Sequence, residues 1–348
     1  MNYHPSFRDR RSPVLIAIVN YRTGGLVVDC LSTLADEIAT YPNARVVIVD
    51  NQSGDGSVDK IGAAIAARGW SDWAMLVASD VNGGFAYGVN LAVASAPEGF
   101  TPSFVWLLNP DTRVRQGALR ALLDFMHAHP CAGIAGSLIE DADGVTWPYA
   151  FRFPSALGEL ERGARTGLVS RMLSSRATLW QMGNEATAVD WVSGASMMIR
   201  AGVFDAIGPM DEAYFLYYEE TDFCLRARRA GWQCWYAPSA RILHIAGQST
   251  GLTGKNAVVR RMPRYWFEAR RRYFIQNHGR AYAICADLAW IIAHVGWRIR
   301  RRLQSLPDDD PPRLLSDFVA NSALRGRRRE IAETAERTAP VHADAATQ

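Results

Sequence analysis

The sequence predicts an α/β protein with a mostly parallel sheet and helices on both faces. Apolar runs of strand length recur along the first third of the chain, at residues 14–19, 46–49, 75–78 and 104–108. Apolar residues at helical spacing separate such runs, as in the segment from Leu26 to Ile38. Strands that alternate with helices form parallel sheets, and these sheets bind ligands beyond the carboxyl ends of their strands.

Polar side chains follow each of the four predicted strands. They are Asn20, Tyr21, Asp50, Asn51, Asp80, Asn82, Asn109 and Asp111. Because the carboxyl ends of parallel strands meet at one edge of a sheet, we expect these side chains to line a common cleft. The sequence therefore predicts a ligand site at this edge.

Asp111 and His244 are the candidate metal ligands. Asp111 ends the turn Asn109-Pro110-Asp111, and its carboxylate would hold Mg²⁺ or Mn²⁺ together with the oxygens of a diphosphate. His244 follows an apolar strand, and its imidazole would complete the site and favour Mn²⁺. Two plainer interpretations stay open: an ordinary turn at Asn109 to Asp111, and a structural histidine.

Three acids, Glu219, Glu220 and Asp222, begin a predicted helix that ends at Gly231. The helix dipole stabilises negative charge in a first turn, so we expect these carboxylates to be ionised at neutral pH. An ionised carboxylate suits a general base that removes a proton from a hydroxyl group. The alternative is that the acids only stabilise the helix start.

A glycine- and amide-rich loop precedes another predicted helix. It comprises Asn82, Gly83, Gly84 and Phe85 and continues to Asn90. Glycines allow a nucleotide to approach the backbone, and amide side chains can bind a base edge or ribose hydroxyls. The chain has neither a dinucleotide-binding Gly-x-Gly-x-x-Gly nor a P-loop, which argues against NAD binding and P-loop hydrolysis. Ordinary turn chemistry remains the alternative.

The net charge of +3 conceals an uneven distribution. Residues 260–302 are rich in arginine and aromatic residues and contain only two acids, Glu268 and Asp287. This segment would either contact anionic lipid head groups or form a helical cap whose arginines face water. Nucleic acid is a poorer partner, because no recognised binding module accompanies the charge.

Together these motifs resemble the large inverting glycosyltransferase family that includes cellulose and chitin synthases, and especially its bacterial rhamnosyltransferase-like branch. The strings that carry the resemblance are residues 18–21, 49–53, 82–86 with Asn90, 108–111, Gly194-Ala195, 208–212, 218–222, Gly231-Trp232, and His244 with Ser249. Each string is weak alone, but their shared order and spacing over residues 14–251 make the resemblance specific.

The resemblance implies a GT-A fold, a nucleoside-diphosphate sugar donor, a divalent metal and inversion at the anomeric carbon. Carried over by position, the donor would contact Asn20, Tyr21, Asp50, Asn51, Asp80, Asn82, Gly83, Gly84, Phe85, Asn90, Asn109 and Asp111. Gly194 and Ala195 would lie on the acceptor side, and Asp111 and His244 would bind the metal.

Two positions depart from the family pattern. The usual Asp-x-Asp reads Asn109-Pro110-Asp111, as in the rhamnosyltransferase-like branch, and the usual Glu-Asp pair reads Glu219-Glu220. Glu220 occupies the position of the catalytic base and Asp222 that of the following acid. The identity of the base, Glu220 or Glu219, stays open.

The resemblance together with the composition suggests three segments. These are a catalytic domain at residues 1–252, a basic and aromatic helical segment at 253–304, and a linker with a loosely helical or disordered, flexible tail at 305–348. Five scattered cysteines and the lack of a signal-peptide pattern predict a cytoplasmic protein. Lipid contact would place it at the inner face of the plasma membrane.

The leading hypothesis is transfer of a sugar, with rhamnose as the branch-level expectation, to a glycan or lipid-linked acceptor in cell-surface polysaccharide synthesis. One alternative is a nucleotidyltransferase that makes the sugar nucleotide, although the first strand lacks the basic glycine-rich loop of that class. The other is a non-catalytic carbohydrate-binding scaffold of the same fold.

Overall fold

The computed structural model describes residues 12–141, 143–147, 149–245 and 260–325, and a ten-stranded sheet forms its centre. In spatial order its main strands are β10 (Thr187–Val189), β12 (Gln233–His244), β6 (Ala132–Glu140), β11 (Ser196–Arg200), β4 (Phe104–Leu108), β1 (Val14–Asn20), β2 (Ala44–Asp50) and β3 (Ala74–Ala78). β5 (Thr112–Val114) pairs with β12, and β7 (Thr146–Trp147) pairs with β6. β8 (Tyr149–Phe151) and β9 (Leu179–Gln181) form a separate two-stranded sheet.

The predicted α/β fold is confirmed. Strands β4, β1, β2 and β3 are parallel to one another, and β6 is parallel to β12. β11 runs antiparallel to both of its neighbours, β4 and β6. The four strands that the apolar runs predicted coincide with β1 to β4, so the polar residues that follow them do meet at one edge.

Helices cover both faces of the sheet. One face carries α1 (Gly24–Thr40), α2 (Ser57–Ala67) and α4 (Ala118–Ala128), and the other carries α3 (Gly84–Ala94), α7 (Ala201–Ile207) and α8 (Glu219–Arg229). Successive side chains of a strand point to opposite faces. In β1, Ile16 and Ile18 accordingly join the first core, while Leu15 and Ala17 join the second.

A helical cap packs beside α8. It consists of α5 (Ala156–Ala164), α6 (Gly167–Met172), α9 (Arg264–His278), α10 (Arg280–Leu303) and α11 (Leu314–Asn321). Aromatic residues of the basic segment fill its core, and Phe267, Tyr273, Phe274 and Trp290 are all buried. These side chains therefore hold the cap together, as the second interpretation of residues 260–302 proposed. No helix within the described ranges has both the length and the apolarity that crossing a membrane requires.

Arg270 is the centre of a buried ion cluster in the cap. Its guanidinium group bonds Glu159 of α5 at 2.9 Å and contacts the carboxylate of Asp287 in α10. Burial alone would raise the pKa of Glu159, but Arg162 and Arg270 outweigh it and lower that pKa. The cluster thus ties three helices together through charges that are shielded from water.

Residues 314–325, within the segment predicted as a linker with a loosely helical or disordered tail, pack on the cap and include α11. Phe318 of α11 is buried and stacks on Trp290, with ring centroids 3.9 Å apart. The backbone N–H of Ala323 donates to Asp287 at 2.7 Å. The helical alternative for this segment therefore fits the part up to residue 325, where apolar residues after the acidic, proline-rich run pack against α9 and α10. Ser249, the boundary at residue 252 and the tail beyond 325 lie outside the described residues, so those assignments stay predictions.

Candidate functional site

Asn20 and Asp50 form a buried polar cluster where β1 and β2 end. The Asn20 side-chain amide donates to Asp50 Oδ1 at 2.6 Å, and the Ser53 hydroxyl donates to the same oxygen at 2.6 Å. Asn20 Oδ1 in turn accepts from the Thr23 hydroxyl at 2.8 Å. The cluster fixes both loops that follow these strands. Tyr21, next to it, is half-buried under the guanidinium group of Arg22.

The loops after β2 and β3 are joined by amide side chains. Gln52 donates from Nε2 to the Asp80 carbonyl at 2.6 Å and accepts from the Asn82 backbone N–H at 3.2 Å. Asn51 donates to the Gly84 carbonyl at 2.9 Å, while its own Oδ1 is buried without a partner among the described residues. An unpaired buried acceptor is costly, so this oxygen is suited to accept a hydrogen bond from a bound ligand.

Asp111 and His244 come together as predicted. Because β5 pairs with the end of β12, Asp111 Oδ1 lies 3.1 Å from His244 Nε2. Asp111 is 4% exposed, and Asn109 Nδ2 lies 3.3 Å from the same imidazole nitrogen. A carboxylate and an imidazole at this separation fit two ligands of Mg²⁺ or Mn²⁺, with the remaining positions left for phosphate oxygens and water. The described residues hold no group of three potential metal-binding side chains, so the pair needs those additional ligands.

The turn at Gly194 and Ala195 connects the Asp111 loop to the acids of α8. The Ala195 carbonyl accepts from the Asn109 backbone N–H at 3.2 Å. One residue earlier, the backbone N–H of Gly194 interacts with the carboxylate of Glu220 and lowers its pKa against the effect of burial. A β-carbon on Gly194 would also meet the ring of Phe85 at 3.2 Å. The candidate metal ligands and the candidate base therefore border one cleft.

Burial raises the pKa of the two glutamates at the start of α8. Glu219 is 3% exposed and Glu220 is half-buried, and each has one carboxylate oxygen without a hydrogen-bond partner among the described residues. Burial, reinforced by the neighbouring Glu220 carboxylate, raises the pKa of Glu219 well above its usual range. Burial also raises the pKa of Glu220. Desolvation therefore acts against the helix dipole at both carboxyl groups, and it acts more strongly on Glu219 than on Glu220.

Two predicted site residues have structural partners instead. Asp222 is fully buried and binds Arg226 at 2.8 Å and the Asn277 side-chain amide of α9 at 2.7 Å. Asn90 uses its amide group to bind the backbone of Met210 at 2.9 and 3.0 Å. We assign both residues to positioning, because their polar atoms hold α8 and the loop before it rather than face the cleft.

Sequence patterns did not predict one contact of the glycine- and amide-rich loop, which we call the donor-side loop (residues 82–85). This loop contacts the loop before α8. The Phe215 carbonyl accepts from the Phe85 backbone N–H at 2.9 Å and packs directly against Gly84. Gly84 has φ +88°, and a β-carbon there would clash with the Phe215 carbonyl. The glycine is the sequence signal for this close approach, but nothing in the chain identified its partner.

The start of α8 has an unusual backbone. Tyr217 and Tyr218, directly before Glu219, have φ values of 72° and 69°, in the left-handed region that side chains other than glycine disfavour. The Tyr218 ring packs on Tyr273 of the cap, with centroids 5.5 Å apart. Such strain persists only where packing enforces it and is common at functional sites. The cap therefore helps set the position of the two glutamates.

The amino-acid sequence of the chain is similar to a known protein family and to curated relatives. Residues 12–274 match the family model described as "Glycosyltransferase like family 2". The chain is 28% identical over 335 residues to an N-acetylglucosaminyl-diphospho-decaprenol L-rhamnosyltransferase of Mycobacterium tuberculosis, covering 90% of this chain and 95% of that protein. It is also 28% identical over 170 residues to the rhamnosyltransferase WbbL of Escherichia coli K12, covering 47% of this chain and 61% of that protein.

Solved structures share the fold. The mannosyltransferase PcManGT from Pyrobaculum calidifontis, solved in complex with GDP-Man and Mn²⁺, superposes with a TM-score of 0.53 at 15% identity. The match covers 93% of this chain and 84% of that one. The likeness confirms the GT-A architecture that the resemblance implied.

Proposed function

The chain belongs to glycosyltransferase-like family 2 and is a glycosyltransferase, and from this premise we propose that it moves a rhamnosyl group from a nucleoside-diphosphate donor to a lipid-linked glycan with inversion. Family membership favours sugar transfer over the nucleotidyltransferase and scaffold alternatives. The names of the relatives support the choice of rhamnose.

One observation carries the proposal. The turn at Gly194 and Ala195 contacts both the Asp111 loop and the carboxylate of Glu220. Inverting transfer needs a charge-stabilising site for the leaving diphosphate and, across the sugar, a base for the acceptor. The turn contacts both parts, which supports the proposal that they act on one bound sugar.

The donor side consists of the strand ends. Asn51 Oδ1, the exposed Asp80 and the loop from Asn82 to Phe85 would bind the nucleoside, and the Asn20–Asp50 cluster would hold their backbone in place. Asp111 and His244 would hold Mg²⁺ or Mn²⁺ against the diphosphate. A divalent ion bound there neutralises charge that develops on the diphosphate as it leaves.

Glu220 is the proposed base. The acceptor hydroxyl oxygen forms a bond to the anomeric carbon as the bond from that carbon to the diphosphate oxygen breaks on the opposite face. The hydroxyl proton passes to the Glu220 carboxylate. Glu219 is more deeply buried, its pKa is raised further, and it does not meet the Gly194 backbone N–H, so Glu220 is the better placed of the two to accept the proton.

The name of one relative supports a proposal for the acceptor and for the location of the enzyme. The mycobacterial relative is named for an acceptor in which a sugar is joined through a diphosphate to decaprenol. We propose an acceptor of the same chemical class, a saccharide on a polyprenyl diphosphate. Such an acceptor resides in a bilayer, which supports the proposal that the enzyme works at the inner face of the plasma membrane.

A panel of sugar nucleotides tests the proposal. The purified protein is mixed with each donor and a short-chain prenyl-diphosphate saccharide, with Mn²⁺ or with a chelator. Release of nucleoside diphosphate and formation of the glycosylated acceptor are measured separately. The expected result is metal-dependent transfer from a deoxythymidine-diphosphate rhamnose donor, with no product from Glu220→Gln.

The same assay separates the alternatives. Pyrophosphate release from a nucleoside triphosphate and a sugar phosphate would support the nucleotidyltransferase. A protein that binds sugar nucleotides but neither hydrolyses nor transfers them, at any metal concentration, would support the scaffold. Transfer from a different sugar nucleotide would support the proposed reaction class but show that the donor sugar is not rhamnose.

A further inference from the structure

One face of α10 is apolar and exposed along its whole length. Leu288, Ile292, Val295, Ile299 and Leu303 are 41%, 66%, 38%, 56% and 81% exposed, respectively. Their spacing of three and four residues places them on one side of the helix. Ala281, Cys285 and Gly296 are exposed on the same side. We call these eight residues the α10 stripe.

The α10 stripe faces away from the other elements in the described part of the chain. The opposite side of the helix buries Ala283, Ala286, Trp290 and His294 against the cap. Helix α5 packs closely against that side, and a β-carbon on Gly163 would meet the Trp290 carbonyl at 2.8 Å. Since α10 has 24 residues, the stripe extends for about 36 Å. Single exposed apolar residues are common, but a continuous row of this length marks an interaction surface.

The charges beside the stripe are positive. The last turns of α10 carry Arg298, Arg300, Arg301 and Arg302, and Arg302 is exposed on the stripe side. The one acid of α10, Asp287, is buried against Arg270. Asp308 and Asp309, which follow the helix, pair with Arg301 and Arg165. An apolar row with cationic residues at its border is the pattern of a helix that lies in a bilayer interface.

We propose that α10 docks the enzyme on an anionic lipid bilayer, with the stripe among the acyl chains near the head groups and Arg298 and Arg302 on lipid phosphates. The proposal rests on the proposed function, in which the acceptor is lipid-linked. It differs from the sequence-based membrane hypothesis, because the aromatic residues of that segment are buried and the exposed aliphatic residues make the contact.

Charge complementarity favours a bilayer over a second copy of the chain. In a two-fold pair of antiparallel α10 helices, Arg298 and Arg302 of each copy would face the Ala281 end of the other. That end of α10 carries Arg280 and no acid. Lipid phosphates, by contrast, provide negative charge at the level of the head groups.

Vesicle flotation tests the docking surface with the full-length protein. The wild type, the Ile292→Glu/Ile299→Glu variant and the Arg298→Glu/Arg302→Glu variant are mixed with vesicles of phosphatidylcholine alone or with added phosphatidylglycerol. The matched control, Val58→Glu/Met75→Glu, adds the same charge at exposed apolar positions on α2 and on the edge strand β3, which are not part of the cap. Oligomeric state is measured for all four proteins by light scattering.

The wild type and the control are expected to float with anionic vesicles and to be released by salt. The stripe variant is expected to lose at least tenfold in binding, and the arginine variant roughly fivefold or more for each residue changed. Equal flotation of the stripe variant and the wild type, or no flotation of the wild type, overturns the proposal. A wild-type dimer that the stripe variant converts to a monomer also overturns it and assigns the stripe to a second copy.

The two proposals fail in different ways. Transfer to a water-soluble acceptor analogue, together with nucleoside-diphosphate binding in the presence of Mn²⁺, reports on the proposed function and should be equal in the stripe variant and the wild type. Flotation without sugar transfer would reject the proposed function but would still support the docking surface. Transfer without flotation would reject the surface alone.

Discussion

The carboxyl groups of Glu219 and Glu220 interact at the start of α8, and burial raises the pKa of both. Only Glu220 also meets the Gly194 backbone N–H at the cleft. We expect Glu220→Gln to lower kcat by about 10²- to 10⁴-fold, the usual contribution of a general base. Glu219→Gln should keep most of the activity, because the amide keeps the size and shape of a buried side chain that does not accept the acceptor's proton. Single-turnover transfer and calorimetric donor binding measure both. Equal losses in the two variants would contradict the assignment.

The pH dependence of kcat should report the pKa of Glu220. A base acts only when deprotonated, so a raised pKa moves the loss of activity on acidification to higher pH than an ordinary glutamate would give. The interaction with Glu219 lowers the pKa of Glu220. Glu219→Leu removes the hydrogen-bonding group, so the pH at which kcat falls on acidification (the acid limb) should move higher than in the wild type. Glu219→Gln keeps a hydrogen-bonding group of the same shape and should leave that pH unchanged. An acid limb that stays unchanged in Glu219→Leu would show that the carboxyl groups are uncoupled.

Asp111 and His244 should control the metal dependence of nucleotide binding. Asp111→Asn and His244→Ala are each expected to weaken Mn²⁺ affinity by at least about tenfold, the loss that even outer-shell partners produce. Asn109→Ala, which removes an amide 3.3 Å from His244, should have a smaller effect. Calorimetric titration of nucleoside diphosphate at several Mn²⁺ concentrations makes the measurement. If the affinity of the wild type for nucleoside diphosphate does not change with Mn²⁺ concentration, the proposed metal site is wrong.

Gly84→Ala should separate the donor-side loop from α8. A β-carbon at Gly84 clashes with the Phe215 carbonyl, whereas one at Gly54, which also has a positive φ of 64°, meets nothing within 4 Å. Gly54→Ala should cost only the backbone strain, about 1–2 kcal/mol. Gly84→Ala should add the clash and lower the rate of transfer as well. Thermal unfolding and kcat are compared for the two variants, and similar values for both would mean that the Phe215 contact does not matter.

The ion cluster of the cap should be sensitive to loss of one partner. Arg270→Met leaves Glu159 and Asp287 buried without their common cation, which is expected to lower the free energy of unfolding by about 3–5 kcal/mol. The exposed pair Arg120–Asp124 is the control, since Arg120→Ala should cost about 1 kcal/mol or less. Urea denaturation measures both. A loss near 1 kcal/mol in Arg270→Met would show that water reaches the cluster.

The sequence predicted the elements whose pattern is local. Apolar runs identified β1 to β4, because each is a short, continuous stretch rich in Val, Ile, Leu and Phe. Strand β6 was missed, because its Ala- and Gly-rich sequence has no strand signature. Its glycines are needed by distant neighbours: β-carbons on Gly133 and Gly136 would meet Trp232 and Val192 at 2.8 and 2.6 Å. Such requirements come from packing between segments far apart in the chain.

The candidate site shows the same division. Order along the chain and the family resemblance identified Asp111, His244 and Glu220, and the first two do lie together. Protonation could not be predicted, because it depends on how deeply α8 buries Glu219. The partners of Asn90 and Asp222 were also not readable, since they lie on a loop and a helix that follow much later in the chain.

The loop and helix that carry Glu220 are attached on two sides, through Phe215 to α3 and through Asp222 to Asn277 of α9. The proposed base is therefore carried by an element that the sheet and the cap hold jointly. A substitution that loosens the cap should disturb the reaction as well as the stability of the fold.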